Sequence, residues 1–159
     1  MARVLVMADT HLRDPLRISP AIAEALAQAD WVVHCGDFTD REVLDELRRR
    51  SRNFAGVHGN TDGQRIREVL PDRLTLEIEG KRLAVIHPAW GGPPWGLEEE
   101  LLEMFRCADA ILFGHTHEPC QRQHNHTLLF NPGQGYASFG LPATYGILTI
   151  TPQGIEGEI

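Results

Sequence analysis

The sequence is short of cysteine, of long apolar runs and of positive charge, and each shortage excludes a class of protein. Three cysteines occur in 159 residues, Cys35, Cys107 and Cys120, and no two form a Cys-x-x-Cys pair. An odd number without that spacing argues against both a disulfide framework and a cysteine zinc site. Reduced thiols are expected, with Cys35 buried in a strand. No stretch approaches the ~20 apolar residues of a membrane-crossing helix. The first apolar run is too short for the central segment of a signal peptide and meets Asp9 directly. A cytoplasmic protein without membrane contact is therefore expected. Lys and Arg number 15 against 22 Asp and Glu, for a net charge of −7. Such a chain repels a polyanion, so a nucleic-acid polymer is an unfavourable partner, whereas a small phosphate ester is not.

What is present is the composition of a globular protein, 42% hydrophobic and 23% charged. The length suits one domain over residues 1–159 with a core that needs no disulfides. No internal repeat, linker or low-complexity segment interrupts it. Glycine and proline are plentiful, 15 and 10, as expected of many tight loops between short elements.

Arg3 to Ala8 is a continuous apolar run with β-branched residues and reads as a buried strand. Ser19 and Pro20 are a helix cap and first turn, opening a helix from about Pro20 to Ala29. Trp31 to Cys35 is a second strand. Thr39 or Asp40 caps a second helix, with Val43, Leu44 and Leu47 as its apolar stripe. Its last turn, Arg48-Arg49-Arg50, suits the negative helix end better than it suits nucleic acid. Phe54 to His58 is a third strand. This alternation predicts an α/β fold with a parallel sheet. Beyond it, Arg73 to Glu79 and Leu83 to His87 flank Gly80-Lys81 as a hairpin. Leu97 to Phe105 is a helix and Ala110 to Phe113 a strand. Further strands are expected near Gln121 to His124, Thr127 to Phe130, Thr144 to Ile150 and Ile155 to the end, the last after a turn at Pro152-Gln153-Gly154.

Polar, metal-binding residues follow apolar strands five times: Asp9-Thr10-His11, Gly36-Asp37, Gly59-Asn60-Thr61-Asp62, His87 and Gly114-His115-Thr116-His117. Ligands collect at strand ends in α/β sheets, so these segments should converge on one edge. In an extended segment, residues two apart point the same way. Asp9 and His11 can then reach one metal, and His115 and His117 one site, with one metal each as an option. Mixed carboxylate, imidazole and amide donors suit Mn²⁺, Fe, Zn²⁺ or Ni²⁺ better than Ca²⁺ or Mg²⁺.

In their order, these motifs resemble those of the calcineurin-like metallophosphoesterases: Asp-x-His, Gly-Asp, Gly-Asn, a histidine after a strand, and Gly-His-x-His. The branch most similar is that of the YfcE-like phosphodiesterases, and the resemblance runs through Asn131-Pro132-Gly133 to the last strands. It implies an αββα sandwich, two packed mixed β-sheets flanked by helices. It also implies two divalent ions, with Mn the expected metal: Asp9, His11 and His117 on one, Asn60, His87 and His115 on the other, Asp37 shared. A hydroxide bridging the two would hydrolyse a small phosphodiester. Asp37, Asn60 and His87 are then the expected catalytic positions, and Asn60 and Trp90 the expected substrate contacts. Two alternatives stand beside it, a phosphomonoesterase or nucleotidase within enzymes and, in another class, a non-catalytic protein-binding scaffold such as a retromer subunit of this fold.

Two departures from the family pattern matter. Many relatives carry a histidine after Gly-Asn to protonate the leaving oxygen, whereas Thr61 stands here. Asp62 is expected to orient a neighbour rather than donate a proton. Relatives also read His-Gly-His where this chain has His87-Pro88-Ala89, so one metal is expected to have fewer protein ligands. The segment Trp90-Gly91-Gly92-Pro93-Pro94-Trp95-Gly96 follows directly, as a substrate lid or aromatic platform, or as a loop whose tryptophans pack on this or a neighbouring subunit. Exposed tryptophans and hairpin edges would favour homo-oligomers. His34 is expected to be a satisfied core residue, His58 structural, and His124 and His126 parts of an exposed turn. Asn131 either makes a turn or frames the site.

Overall fold

The computed structural model describes residues 1–90, 95–138 and 140–159. Alternation along the first strand sets up the layers. In β1 (Ala2–Met7), Val4 and Val6 face one side and Leu5 and Met7 the other, all of them buried. A strand buried on both faces needs packing partners on both. Val4 and Val6 meet a second sheet, and Leu5 and Met7 meet helices.

β1 pairs in parallel with β2 (Trp31–His34), and β2 with β3 (Phe54–Gly56). On its other side β1 runs antiparallel to β9 (Gly146–Thr151), which forms a hairpin with β10 (Gly154–Glu158). The second sheet begins with the hairpin of β4 (Arg73–Ile78) and β5 (Lys81–Ile86). It continues in parallel through β6 (Ala110–Phe113) to β8 (Thr127–Asn131), and ends at β7 (Cys120–His124), antiparallel to β8. The strand orders are β10-β9-β1-β2-β3 and β4-β5-β6-β8-β7. Both sheets are mixed, as expected. Their facing surfaces enclose a core that includes Val4, Val6, Val33, Leu83, Val85, Leu112 and Phe130.

Helices cover the outer faces. In α1 (Pro20–Gln28), the Ser19 hydroxyl accepts the N–H of Ile22, and Ile22 and Leu26 pack on the first sheet. α2 (Arg41–Arg50) is capped by Asp40, whose side chain accepts the N–H of Glu42, and buries Val43, Leu44 and Leu47. In its last turn Arg49 and Arg50 pair with Glu46, and Arg48 lies over the Phe54 ring, so the basic run serves the helix end. α4 (Leu97–Met104) buries Leu101 against Ala84, Ile111 and Leu129 of the second sheet.

The differences from the sequence reading lie where the chain leaves a sheet. β3 ends at Gly56, two residues early, because His58 donates its N–H to the carbonyl of Pro71 and not to a strand. β9 starts at Gly146, not Thr144, because the Thr144 N–H is held by the carbonyl of Gln134. The four-residue helix α3 (Gln64–Arg67) and a 3₁₀ turn at Pro15–Arg17 are additional elements. Among the described residues, no helix is long and apolar enough to cross a membrane.

Candidate metal centre

All five motif segments leave the strands at one edge of the sandwich. β1 delivers Asp9 and His11, β2 Asp37, β3 Asn60, β5 His87 and β6 His115 and His117. The chain turns sharply at each end. Asp9, His11, Asp37, His115 and His117 all have positive φ, between 44° and 77°. This corrects one inference from sequence. Asp9 and His11 reach the same place, and so do His115 and His117, through left-handed turns and not through alternation in an extended chain. Side chains seldom adopt such backbone, and when they do the strain clusters at functional sites.

Each carboxylate offers one oxygen to the centre and has the other tied to backbone. Asp37 Oδ1 accepts the N–H of Thr61 at 2.9 Å. Its Oδ2 lies 3.6 Å from His11 Nε2 and 3.4 Å from His87 Nε2. Asp9 Oδ2 accepts the N–H of His115 at 2.9 Å. Its Oδ1 lies 3.3 Å from His117 Nε2 and 4.0 Å from both His11 Nε2 and His87 Nε2. That oxygen is buried without a hydrogen-bond partner among the described residues. An orphaned buried oxygen is costly unless something else satisfies it, and a cation does.

The imidazoles are oriented in the same way. His87 Nδ1 donates to the carbonyl of Cys35 at 2.7 Å, which turns Nε2 inward. His11 Nδ1 sits 3.2 Å from the Thr39 hydroxyl. Such outer partners set the ring nitrogen available to a metal. Asn60 Oδ1 lies between two histidines, 3.0 Å from His87 Nε2 and 3.1 Å from His115 Nδ1. Ligand atoms therefore gather in two overlapping groups, Asp9/His11/His117 and Asp9/Asp37/His87, each within 4.8 Å. The second has Asn60 and His115 beside it.

The charges reflect this crowding. Burial raises Asp9 to about 6, against the pull of His87 and His117. Burial also acts to raise Asp37, but hydrogen bonding and charge from His87, with hydrogen bonds from Thr61, outweigh it and hold the carboxyl well below the ordinary range. His87 is raised because Asp37 and Asp9 overcome its burial. Burial lowers His11 and His115. Asp9 and His87 thus hold their protons more firmly than usual, and a cation bound here would compete with those protons.

A supporting layer surrounds these residues. Asp62 accepts three backbone N–H groups: Asp37 at 2.9 Å, Thr39 at 2.9 Å and Gly59 at 2.8 Å. It orients neighbours, as expected. Gly59 must lack a side chain, because a Cβ there would collide with the Asp37 carboxylate. His34 is fully buried, stacked on Phe38, and burial lowers it to about 3. It accepts the N–H of Gly36 at Nδ1, so in its neutral form Nε2 carries the proton, 3.2 Å from the Thr10 hydroxyl. It is a core histidine that ties the first two motif segments together. Among the described residues, the His58 side chain hydrogen-bonds only the Gly59 carbonyl, at 3.4 Å. His124 and His126 lie at the exposed β7–β8 turn. Asn131 both makes a turn, accepting the Gly133 N–H, and frames the site by donating to the Thr116 hydroxyl.

Three positions extend the sequence reading. Thr39 and Arg67 touch the site through His11 and through the carbonyls of Gly59 and Asp62. Tyr136 stands edge-on to His11 and His117, with ring centroids 5.3 and 6.0 Å away. It lies in an irregular loop where periodicity carries no signal. After His87 the chain turns tightly, and Ala89 donates its N–H to the His87 carbonyl. Trp90 is half exposed and donates Nε1–H to Glu100 at 3.0 Å. Gly91 to Pro94 of the expected lid lie outside the described residues.

The chain is similar to several known proteins. Residues 2–153 match the calcineurin-like phosphoesterase superfamily domain. A probable metallophosphoesterase of Methanocaldococcus jannaschii is 35% identical over 130 residues, which cover 80% of this chain and 65% of that protein, a little under two thirds of its length. The Escherichia coli phosphodiesterase YfcE is 27% identical over 169 residues, covering 93% of this chain and 88% of YfcE. Among solved structures, Vps29 from Entamoeba histolytica complexed with zinc superposes with a TM-score of 0.79 at 23% identity, over 98% of this chain and 89% of that one. That last likeness is one of fold.

Proposed function

The chain belongs to the calcineurin-like phosphoesterase superfamily, and from that premise we propose that it hydrolyses small phosphodiesters with two divalent ions. Asp9, His11 and His117 would hold one ion, and Asn60, His87 and His115 the other. Asp37 would be shared through Oδ2. The observation that carries this reading is the position of that oxygen, within 3.6 Å of His11 Nε2 and 3.4 Å of His87 Nε2. Asp9 Oδ1, unpartnered among the described residues, supports it. The donors are carboxylate, imidazole and amide, which suit Mn²⁺ first, with Zn²⁺, Fe or Ni²⁺ as substitutes.

When bound, such a pair supplies charge against the phosphoryl oxygens and lowers the pKa of water at the site. The protein's part is orientation. The N–H groups of Thr61 and His115 hold the two carboxylates so that one oxygen of each faces inward. The Cys35 carbonyl and Thr39 hydroxyl hold His87 and His11. Asn60, exposed and beside His87 and His115, is placed to meet substrate as well as metal. Trp90 would form part of the substrate wall. The Thr61 hydroxyl is too weak an acid to protonate a leaving oxygen, which favours esters with good leaving groups.

The experiment is hydrolysis of bis-p-nitrophenyl phosphate by metal-stripped protein before and after Mn²⁺ is restored. Activity that returns with Mn²⁺ supports the proposal. Inactivity with Mn²⁺ and with Zn²⁺, Fe²⁺ and Ni²⁺ overturns it and leaves the protein-binding scaffold as the reading to pursue.

A further inference from the structure

A cavity of about 720 Å³ opens beside the candidate metal centre, with His115 and Thr116 in its lining. His115 also lies 3.1 Å from Asn60, so the cavity borders the place proposed for phosphate. A diester carries two organic substituents, and one bound at this centre has this space to fill. The lining defines what would fit. Trp90 and Trp95 present indoles, and Glu98, Glu100 and Glu118 bring three carboxylates against one guanidinium, that of Arg122. Arg122 is already engaged by Glu98 at 2.7 Å. Glu100 accepts the Trp90 N–H at 3.0 Å, which couples a carboxylate to an indole.

A second phosphate or a carboxylate in this space would meet repulsion from the uncompensated carboxylates. An aliphatic group would gain from the indoles only. A cation gains from both, because an ammonium over an indole face is attracted by the ring quadrupole. We propose that the cavity walled by Trp90, Trp95 and Glu100 binds an ammonium-bearing substituent, so that the preferred substrates are zwitterionic phosphodiesters of an amino alcohol or quaternary amino alcohol. The inference rests on the phosphodiesterase reading for where the phosphate sits. It does not rest on it for the affinity of the cavity for an organic cation.

The test therefore has two arms. In the first, choline chloride is titrated into the protein while tryptophan fluorescence is followed, with 3,3-dimethylbutanol, its neutral isostere, as the control. A saturable change with choline is expected, about fivefold weaker with the isostere, the upper end for a cation over an exposed aromatic ring. It should be weakened in Glu100→Gln, which keeps an acceptor for the Trp90 N–H and removes the charge, and lost in Trp95→Ala. In the second, kcat/KM is compared for p-nitrophenyl phosphorylcholine and p-nitrophenyl 3,3-dimethylbutyl phosphate. Water adds across the P–O(aryl) bond of each, releasing p-nitrophenol and leaving the alkyl phosphate. The choline ester should be favoured about tenfold, and Glu100→Gln should reduce that ratio. Equal binding of choline and its isostere, or a ratio near unity, overturns the proposal. If neither ester is hydrolysed the enzymatic reading fails, and the choline titration alone decides the cavity. Fluorescence that does not respond to choline, or responds equally in Trp95→Ala, also overturns it.

Discussion

The side chain of Asp62 accepts the backbone N–H of Asp37 at 2.9 Å, and this contact holds in place a residue that Asp62 itself would not join in binding metal. The same carboxylate also holds Thr39 and Gly59. Asp62→Ala leaves three backbone donors without that partner. A stability loss of about 2–4 kcal/mol is expected, read from urea denaturation of the metal-free protein. Metal affinity should fall about 10- to 100-fold, as for other partners of metal ligands. Unchanged metal affinity in a folded Asp62→Ala protein would show that Asp37 holds its position unaided.

Thr61 contributes a backbone N–H to Asp37, but its hydroxyl is too weak an acid to protonate a departing oxygen. Across aryl and alkyl phosphodiesters, kcat/KM should fall steeply as the leaving-group pKa rises. A positioned acid is typically worth ~10²–10⁴-fold. Thr61→His should therefore gain most on the poorest leaving groups. A rate nearly independent of leaving-group pKa would reveal a proton donor elsewhere, with His58 the first side chain to substitute.

How much of this could be read in the sequence differs by residue. Asp9, Asp37, Asn60, His87, His115 and His117 stood out because each follows an apolar run, and a parallel strand end is a predictable place. Most strands and helices followed from period and caps, as at Ser19 and Asp40, whereas the division into two packed sheets came from the resemblance of the ordered motifs to a known family. The left-handed turns at His11 and His117 did not, because φ there is set by tertiary contacts and not by local propensity. Four residues are too few for α3 to show a helical period. Tyr136 reaches His11 from a loop whose path depends on the Gln134 and Thr144 contacts. Pattern showed which residues gather at the centre and left out what aims them.

Metal binding should depend on pH in a definite direction. Burial holds Asp9 at about 6 in the folded metal-free protein, against 3.8 for the free side chain. The fold thus retains this proton more tightly than the unfolded chain does. Its contribution to metal-free stability is full below pH 3.8 and is lost as pH rises through about 6. His87, raised by Asp37 and Asp9, adds a second proton that competes with metal. The rise in Tm on adding Mn²⁺ should be small near pH ~5 and larger near ~7.5, with protons released on binding. A rise that is the same at both would contradict the competition between metal and the protons of Asp9 and His87.

The central claim is that one carboxylate, Asp37, joins two ions. The most direct measurement is a titration of Mn²⁺ into metal-stripped protein, counting bound ions per chain while following bis-p-nitrophenyl phosphate turnover. The account predicts two ions, with turnover appearing as the second binds. It predicts that Asp37→Asn, still folded by circular dichroism, binds fewer ions and loses turnover by at least about 10²-fold. Full turnover with a single ion, or an Asp37→Asn protein that keeps both ions and its activity, would contradict it.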